Sequence, residues 1–151
     1  MGVATPARLE ETAFPALLRA ARRTYGAAIR RALLEAGCED LPPNGPYVVV
    51  AIARSGAPLS EVIDDLGVSK QAVGHLVDTL VARGYLDRAP DPEDGRRLVV
   101  TLTERGHAAA TTVRAAVDQV DAQLDAIVGA EYVAHTRATL AALVVTEHGE
   151  R

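Results

Sequence analysis

The stretch DPEDGRRLVVTLTERG at residues 91–106 decides how this chain is expected to fold. Residues 85–88 and 98–102 have the composition of extended strands, and the run 90–95 between them contains the Pro and Gly residues typical of a turn. The pattern therefore predicts a two-stranded β-hairpin. Thr103 follows the second strand at a position suited to a helix N-cap, so a long helix is expected after the hairpin.

Two short amphipathic helices are predicted just before the hairpin. Apolar residues recur at i, i+3, i+4 and i+7 in two runs, Leu59, Val62, Ile63 and Leu66, and then Val73, Leu76, Val77 and Leu80. Gly67 and Gly84 end these runs, and Ser69 is placed to cap the second helix. Because two short helices joined by about four residues form a helix-turn-helix, residues 44–103 are predicted to be a winged helix-turn-helix.

A longer helix is predicted near the start of the chain, from Phe14 to Ala36, with Gly37 as its end. Its apolar residues follow helical spacing. Five arginines lie between those apolar positions and are interpreted as a solvated or partner-facing surface: Arg19, Arg22, Arg23, Arg30 and Arg31.

The helix after Thr103 has the spacing of a coiled coil. Its apolar residues are separated alternately by three and four positions, which is a heptad seam: Ala110, Val113, Val117, Val120, Leu124 and Ile127. Gly129 separates this helix from a last one. Residues 9–37 and 104–146 are therefore predicted to form a helical dimerisation part, in which the residues expected to meet a second subunit are Val113, Val117, Val120, Leu124 and Leu140. The predicted fold class is mainly α with a small β-hairpin wing.

The motif at residues 91–106 resembles the wing signature of the MarR (multiple antibiotic resistance regulator) family. That signature is D-P-x-D-x-R followed by V-x-L-T-x-x-G, and every fixed position is met here. Together with the order of the predicted elements, the resemblance covers residues 1–151 as one MarR-like domain. It implies a cytoplasmic transcription regulator that binds double-stranded DNA as a homodimer at a pseudo-palindromic operator, in most cases as a ligand-responsive repressor.

The second short helix carries the first set of candidate DNA-binding residues. Burying its apolar stripe leaves five residues of its N-terminal half outside, the half that recognition helices present to base edges: Ser69, Lys70, Gln71, Gly74 and His75. Gln71 can form two hydrogen bonds with adenine, Lys70 can reach a phosphate or guanine, and Ser69 can donate to a phosphate. Many relatives carry Ser or Thr and then Arg in place of Gly74 and His75. The alternative is a capped surface helix without DNA contacts.

The wing carries the second set, Asp94, Arg96 and Arg97. Asp94 and Arg96 are two residues apart at the hairpin tip, where a carboxylate can hold a guanidinium extended. An extended Arg suits a narrow, electronegative minor groove. The resemblance gives Arg96 that role by motif position and Arg97 by proximity, and the alternative is a surface ion pair that stiffens the turn.

Other residues predict less. The resemblance implies a small phenolic or lipophilic effector, and Tyr25 and Tyr47 are conceivable pocket residues or ordinary core aromatics. Cys38 lies between a glycine and two acidic residues, which raise a thiol's pKa, so a redox role is not favoured. We expect no metal, no cofactor and no membrane segment, and the single cysteine fits a reducing cytosol.

Two alternatives to a DNA-binding regulator are a protein-interaction module and an enzyme. The net charge is −4, and residues 57–106 hold six basic and nine acidic side chains, which would permit a winged-helix module that binds a protein partner or dimerises without binding DNA. An enzyme is not expected, because the chain has no nucleophile elbow, no Gly-rich phosphate loop and no HExxH motif.

Overall fold

Five helices and one β-hairpin make up the part of the chain that the computed structural model describes, residues 11–55, 69–91 and 98–148. In chain order they are α1 (Phe14–Glu35), α2 (Gly45–Ser55), α3 (Lys70–Ala82), β1 (Leu86–Pro90), β2 (Leu98–Leu102), α4 (Glu104–Val128) and α5 (Ala130–His148). The mainly helical fold class with a hairpin is confirmed. The predicted helix over 59–66 and the wing tip, with Asp94, Arg96 and Arg97, lie outside the described residues.

The helix ends follow from local chemistry that the sequence signals. Ser69 is the N-cap of α3, and its hydroxyl accepts a hydrogen bond of 3.2 Å from the backbone N–H of Ala72. Gly37 after α1 and Gly84 after α3 have φ values of 70° and 73°, left-handed values that end a helix. In each case the residue after the glycine forms a hydrogen bond back to the last turn of the helix. The N–H groups of Cys38 and Tyr85 donate to the carbonyls of the residues five positions earlier.

The hairpin is antiparallel, and its register pairs Leu86 with Leu102 and Pro90 with Leu98. Helix α3 contacts β1, and α2 contacts β2. The side chains that this packing buries completely or nearly so are Val48, Val49, Val73, Val77, Leu80, Tyr85 and Leu86. The helix-turn-helix stripe predicted for α3 is therefore a core face, which leaves the opposite face of α3 accessible.

The chain divides into two compact units, Met1–Ala116 and Val117–Arg151, with the division inside α4. In the first unit, α4 buries a stripe of small and apolar residues, Gly106, Ala109, Ala110, Val113 and Ala116. Val113 is only 5% exposed in the single chain, which leaves little of its side chain for a second subunit, and its contact across a dimer stays a prediction. Heptad spacing marks a buried stripe but does not tell whether the same chain or a second one covers it.

In the second unit, an ion pair between Arg137 and Asp121 at 2.5 Å joins α5 to the last part of α4. Of the predicted seam, Val117, Val120 and Leu140 are half-buried and Leu124 is exposed. Several large apolar side chains of this unit face solvent in the single chain: Leu124, Ile127, Val128, Tyr132, Leu143, Val144 and Val145. Within the described ranges, none of the helices has the length and apolarity that crossing a membrane requires.

Candidate nucleic-acid interface and the neighbouring cavity

The predicted base-reading residues that the structure describes lie together on the accessible side of α3. Ser69, Gln71 and His75 are exposed. Gly74 lies on this side, and a methyl group added there would have no atom within 4 Å. Lys70 is the first residue of α3. This face offers an amide, an imidazole and a hydroxyl around a position without a side chain, which lets another molecule approach the helix closely.

An ion pair that the sequence analysis missed ties α3 to the hairpin. The guanidinium of Arg88 on β1 donates to the carboxylate of Asp78 on α3. Both side chains are exposed, so the pair adds little stability. Its structural effect is to link the last turns of α3 with the strand that leads into the wing.

The spacing Thr103-x-x-Gly106 has a structural reason at the base of the hairpin. The Thr103 hydroxyl donates to the carbonyl of Gly84 at 2.6 Å and accepts from the N–H of Gly106 at 3.0 Å, so it caps α4 and holds the end of α3. A Cβ on Gly106 would overlap the carbonyl oxygen of Tyr85 and lie 2.9 Å from Leu102 Cδ2. Only glycine lets α4 start this close to the chain between α3 and β1.

Four residues from three segments meet beside that junction, and we call Asp40, Arg83, Tyr85 and Arg105 the Asp40 cluster. The Tyr85 hydroxyl donates to Asp40 Oδ1 at 2.5 Å, and Arg105 Nη2 donates to the same oxygen at 2.8 Å. The Arg105 guanidinium also lies 4.2 Å from the centre of the Tyr85 ring. Arg83 donates to the backbone carbonyl of Asp40, and Arg105 Nη1 donates to the carbonyl of Arg83 at 2.6 Å.

The cluster shifts the titration of its two acidic groups in opposite directions. The hydrogen bond from Tyr85, helped by Arg105, holds the pKa of the Asp40 carboxyl below its ordinary value of 3.8. Burial, together with the hydrogen bond to Asp40, raises the pKa of the Tyr85 hydroxyl. A charged Asp40 and a neutral Tyr85 therefore hold the segment after α1 against the end of α3 and the start of α4.

A cavity of about 620 Å³ lies between α1 and the segment that leads into α2. Four arginines of α1 line it, together with the apolar residues Ile29, Leu33, Leu41 and Pro42. Tyr47, one of the two predicted pocket residues, also lines the cavity, and the Arg22 guanidinium lies 5.9 Å from its ring centre. Tyr25, the other, is half-buried and is not among the lining residues.

Cys38 lines the cavity but is buried, with its Sγ 3.8 Å from the carbonyl oxygen of Ala36. Among the described residues, no group of three or more His, Cys, Asp or Glu side chains is placed to hold a metal ion.

Comparison with known proteins agrees with this architecture. A family model described as "MarR family" matches residues 39–97. The chain is 26% identical to a probable transcriptional regulator from Pseudomonas aeruginosa, covering 90% of this chain and 99% of that one, with a TM-score of 0.65. It is 25% identical to CouR from Rhodococcus jostii RHA1, solved with p-coumaroyl-CoA bound, covering 89% and 93% with a TM-score of 0.68.

A MarR-family regulator from Rhodococcus sp. RHA1 is also 25% identical, covering 84% of this chain and 90% of that one, with a TM-score of 0.62. Among curated protein sequences, none matches this chain. The helical fold with its hairpin, the accessible face of α3 and these similarities define a winged-helix transcriptional regulator. Over residues 39–97 the chain is similar to the MarR family, and a solved member of that family shares its fold.

Proposed function

We propose that this chain is a homodimeric repressor that binds a pseudo-palindromic DNA operator and releases it in response to a small molecule. The observation that carries the proposal is the accessible N-terminal half of α3, where Ser69, Gln71, Gly74 and His75 lie on the side away from the core. In this arrangement α3 enters a major groove with its N-terminal half toward the base edges. The wing residues Arg96 and Arg97 then contact the flanking minor groove, with Asp94 orienting Arg96.

Dimerisation is supported by the second compact unit. The apolar side chains of this unit include several that are exposed in the single chain, and Val117, Val120 and Leu140 are only half-buried. Part of its apolar surface is therefore left uncovered in the single chain. A second copy of the same helices would bury this surface and place two α3 helices on one face of the DNA. The spacing of the two recognition helices then sets the distance between the operator half-sites.

Effector control is supported by the cavity beside α1 and by a relative. The cavity lies next to the Asp40 cluster, because Cys38 and Glu39 line it and Asp40 follows them directly. The CouR relative was solved with p-coumaroyl-CoA bound. A ligand that moves the segment 38–40 would act through Asp40 on Arg83 and Tyr85, at the end of α3.

The test selects bound sequences from a random duplex DNA pool with the full chain and measures affinity for the enriched sequence at several salt concentrations. We expect an enriched inverted repeat and a linear fall of log K with log salt, with a slope near −0.9 for each phosphate contacted. Absence of any DNA shift at low salt would refute the proposal and favour the module that binds a protein partner. A duplex of the same composition in scrambled order is the control for sequence-independent binding.

A further inference from the structure

We infer that the cavity beside α1 binds an amphiphile that carries phosphate groups, not the small neutral or singly charged phenol that family resemblance alone implies. The inference deepens the proposed function, since it names the chemical class of the effector. It depends on that function only for the consequence of binding, because binding itself is measured without DNA.

The first ground is the charge around the cavity. Its lining contains four arginines, Arg19, Arg22, Arg23 and Arg30, and one acidic residue, Glu39, a net charge of +3 in a chain whose total is −4. Among the described residues, the ion pairs are those of Arg88, Arg105 and Arg137, and none involves the four cavity arginines. Among the described lining residues, positive charge therefore exceeds negative charge, with Glu39 as the one carboxylate.

The second ground is the order of residues along α1. The lining residues of this helix follow one stripe, with three arginines at the N-terminal end and Ile29, Leu33 and Leu34 at the C-terminal end. Gly26 lies between the two ends, and a Cβ there would meet Arg30 Nη1 at 3.3 Å, so the glycine leaves room for that guanidinium. The lining is thus mainly cationic toward the N-terminal end of α1 and mainly apolar toward its C-terminal end, where Arg30 adds one guanidinium between Ile29 and Leu33.

The third ground is the match between these groups and phosphate. Each guanidinium is a planar fork that forms two parallel hydrogen bonds with a phosphate or carboxylate, and it stays charged at every physiological pH. A single carboxylate can occupy one such fork, whereas several phosphate oxygens can engage three or four. The volume of about 620 Å³ falls in the range of sites for complete small molecules.

The apolar side indicates the rest of the ligand. Ile29, Leu33 and Pro42 offer aliphatic surface, and Tyr47 offers an aromatic ring beside Arg22. A flat or aliphatic acyl group fits there by burial of apolar area. An acyl or aroyl thioester of coenzyme A has both parts, and so does a nucleotide joined to an apolar group. The two share the chemistry on which the inference rests.

The test is calorimetric titration of the full chain, without DNA, at physiological salt. The probes are benzoyl-coenzyme A, coenzyme A, adenosine diphosphate, sodium benzoate and phenol. We expect benzoyl-coenzyme A to bind at least tenfold tighter than coenzyme A and about a hundredfold tighter than benzoate or phenol. If adenosine diphosphate binds as tightly as coenzyme A, the site recognises the phosphates alone. If it binds more weakly, the site also recognises other parts of the coenzyme.

Two variants and a matched control locate the site. Arg22→Gln and Arg19→Gln should each weaken benzoyl-coenzyme A binding about tenfold, since each loses charged hydrogen bonds to phosphate. Arg31→Gln changes an exposed arginine of the same helix that does not line the cavity, and it should leave binding unchanged. Circular dichroism of each variant checks that α1 still forms.

Three results would overturn the inference. Benzoate or phenol could bind as tightly as the coenzyme A thioester, or Arg31→Gln could weaken binding as much as Arg22→Gln. The third result is that no probe binds and that Arg22→Gln lowers the dimer mass in light scattering. That result would assign the arginines to a contact with a second copy. Failure of DNA binding in the separate selection experiment would leave a positive titration intact, so the two proposals fail independently.

Discussion

Tyr85 and Asp40, 45 residues apart in the chain, are joined by a hydrogen bond of 2.5 Å from the phenol hydroxyl to Oδ1. Tyr85 is completely buried, and Asp40 is partly exposed at the surface where Arg105 also reaches it. The pair therefore anchors the segment after α1 to the residue just before the hairpin. Because the end of α3 and the start of β1 both adjoin Tyr85, the bond contributes to the position of these two elements as well as to stability.

Removing the Tyr85 hydroxyl should destabilise the fold by about 1–2 kcal/mol. A hydrogen bond to a charged group contributes roughly 1.5–3 kcal/mol when buried, and the partial exposure of Asp40 reduces this figure. Denaturant unfolding of Tyr85→Phe measures it, and Tyr132→Phe is the matched control, since Tyr132 is 70% exposed. In a double-mutant cycle with Asp40→Asn the two losses should be less than additive. Additive losses would show that the two side chains do not act as a pair.

Acid should weaken the protein through Asp40 in a defined direction. The folded pKa of Asp40 is lowered below 3.8, first by the hydrogen bond from Tyr85 and also by Arg105. A lowered folded pKa means that the stabilisation is fully present above pH 3.8 and is lost as pH falls through the folded value. The free energy of unfolding of the wild type should therefore fall more steeply in acid than that of Asp40→Asn. Parallel curves would contradict this assignment.

The sequence predicts the elements well because their signals are local. Ser69, Gly37, Gly84 and Gly129 mark helix ends through their own backbone and side-chain preferences, and the structure places each where the pattern predicts. The Asp40 cluster has no such signal, because its members come from three segments and meet only after the hairpin has folded back. The motif Thr103-x-x-Gly106 is the last part of the signature that resembles the MarR family, but its cause, the overlap of any Cβ at Gly106 with the Tyr85 carbonyl, is visible only in the structure.

The cavity could be predicted in part: the sequence shows the pattern of its arginines but not the segment that covers them. The sequence alone favours a solvated or partner-facing surface for its arginines, although Arg19, Arg22, Arg23 and Arg30 follow the stripe spacing of one helix face. That periodicity was available in the sequence. What was not available is that the segment 38–47 folds back over the same face, because its Pro and Gly content predicts a turn without giving its direction.

The same substitution should have opposite effects at two glycines. Gly74→Ala adds a methyl group with nothing within 4 Å and should raise the free energy of unfolding by up to about 1 kcal/mol through helix propensity. Gly106→Ala forces a Cβ onto the Tyr85 carbonyl and should lower it by at least about 2 kcal/mol, since backbone must move. Both are measured by thermal or denaturant unfolding. An equal change in the free energy of unfolding at the two sites would mean that the backbone around Gly106 moves to accept a methyl group without loss of stability.

Charge placed on the second unit should separate dimerisation from folding. The double variant Val117→Asp and Val120→Asp puts two carboxylates on half-buried apolar positions and should give monomer in light scattering, with DNA binding lost. Val113→Ala is the comparison variant. It removes core volume from the first unit, so it should cost about 1–3 kcal/mol of stability while the dimer mass is kept. A wild-type mass of one chain at low micromolar concentration would contradict the proposed dimer.

Gln71 and Lys70 should differ in the kind of DNA contact they make, because an amide can pair with adenine at two atoms whereas an ammonium is a point charge. Gln71→Ala should relax the preference at one base pair of each half-site, by about 1–3 kcal/mol, and leave the salt dependence unchanged. Lys70→Ala should weaken binding to all sequences alike and reduce the slope of log K against log salt by about one for each subunit. Binding is measured by titrating the enriched operator and single-base variants at three salt concentrations. If Gln71→Ala weakens every sequence equally, its exposed position on α3 serves a backbone contact and base readout must be assigned to other residues of that face, with His75 the next to test.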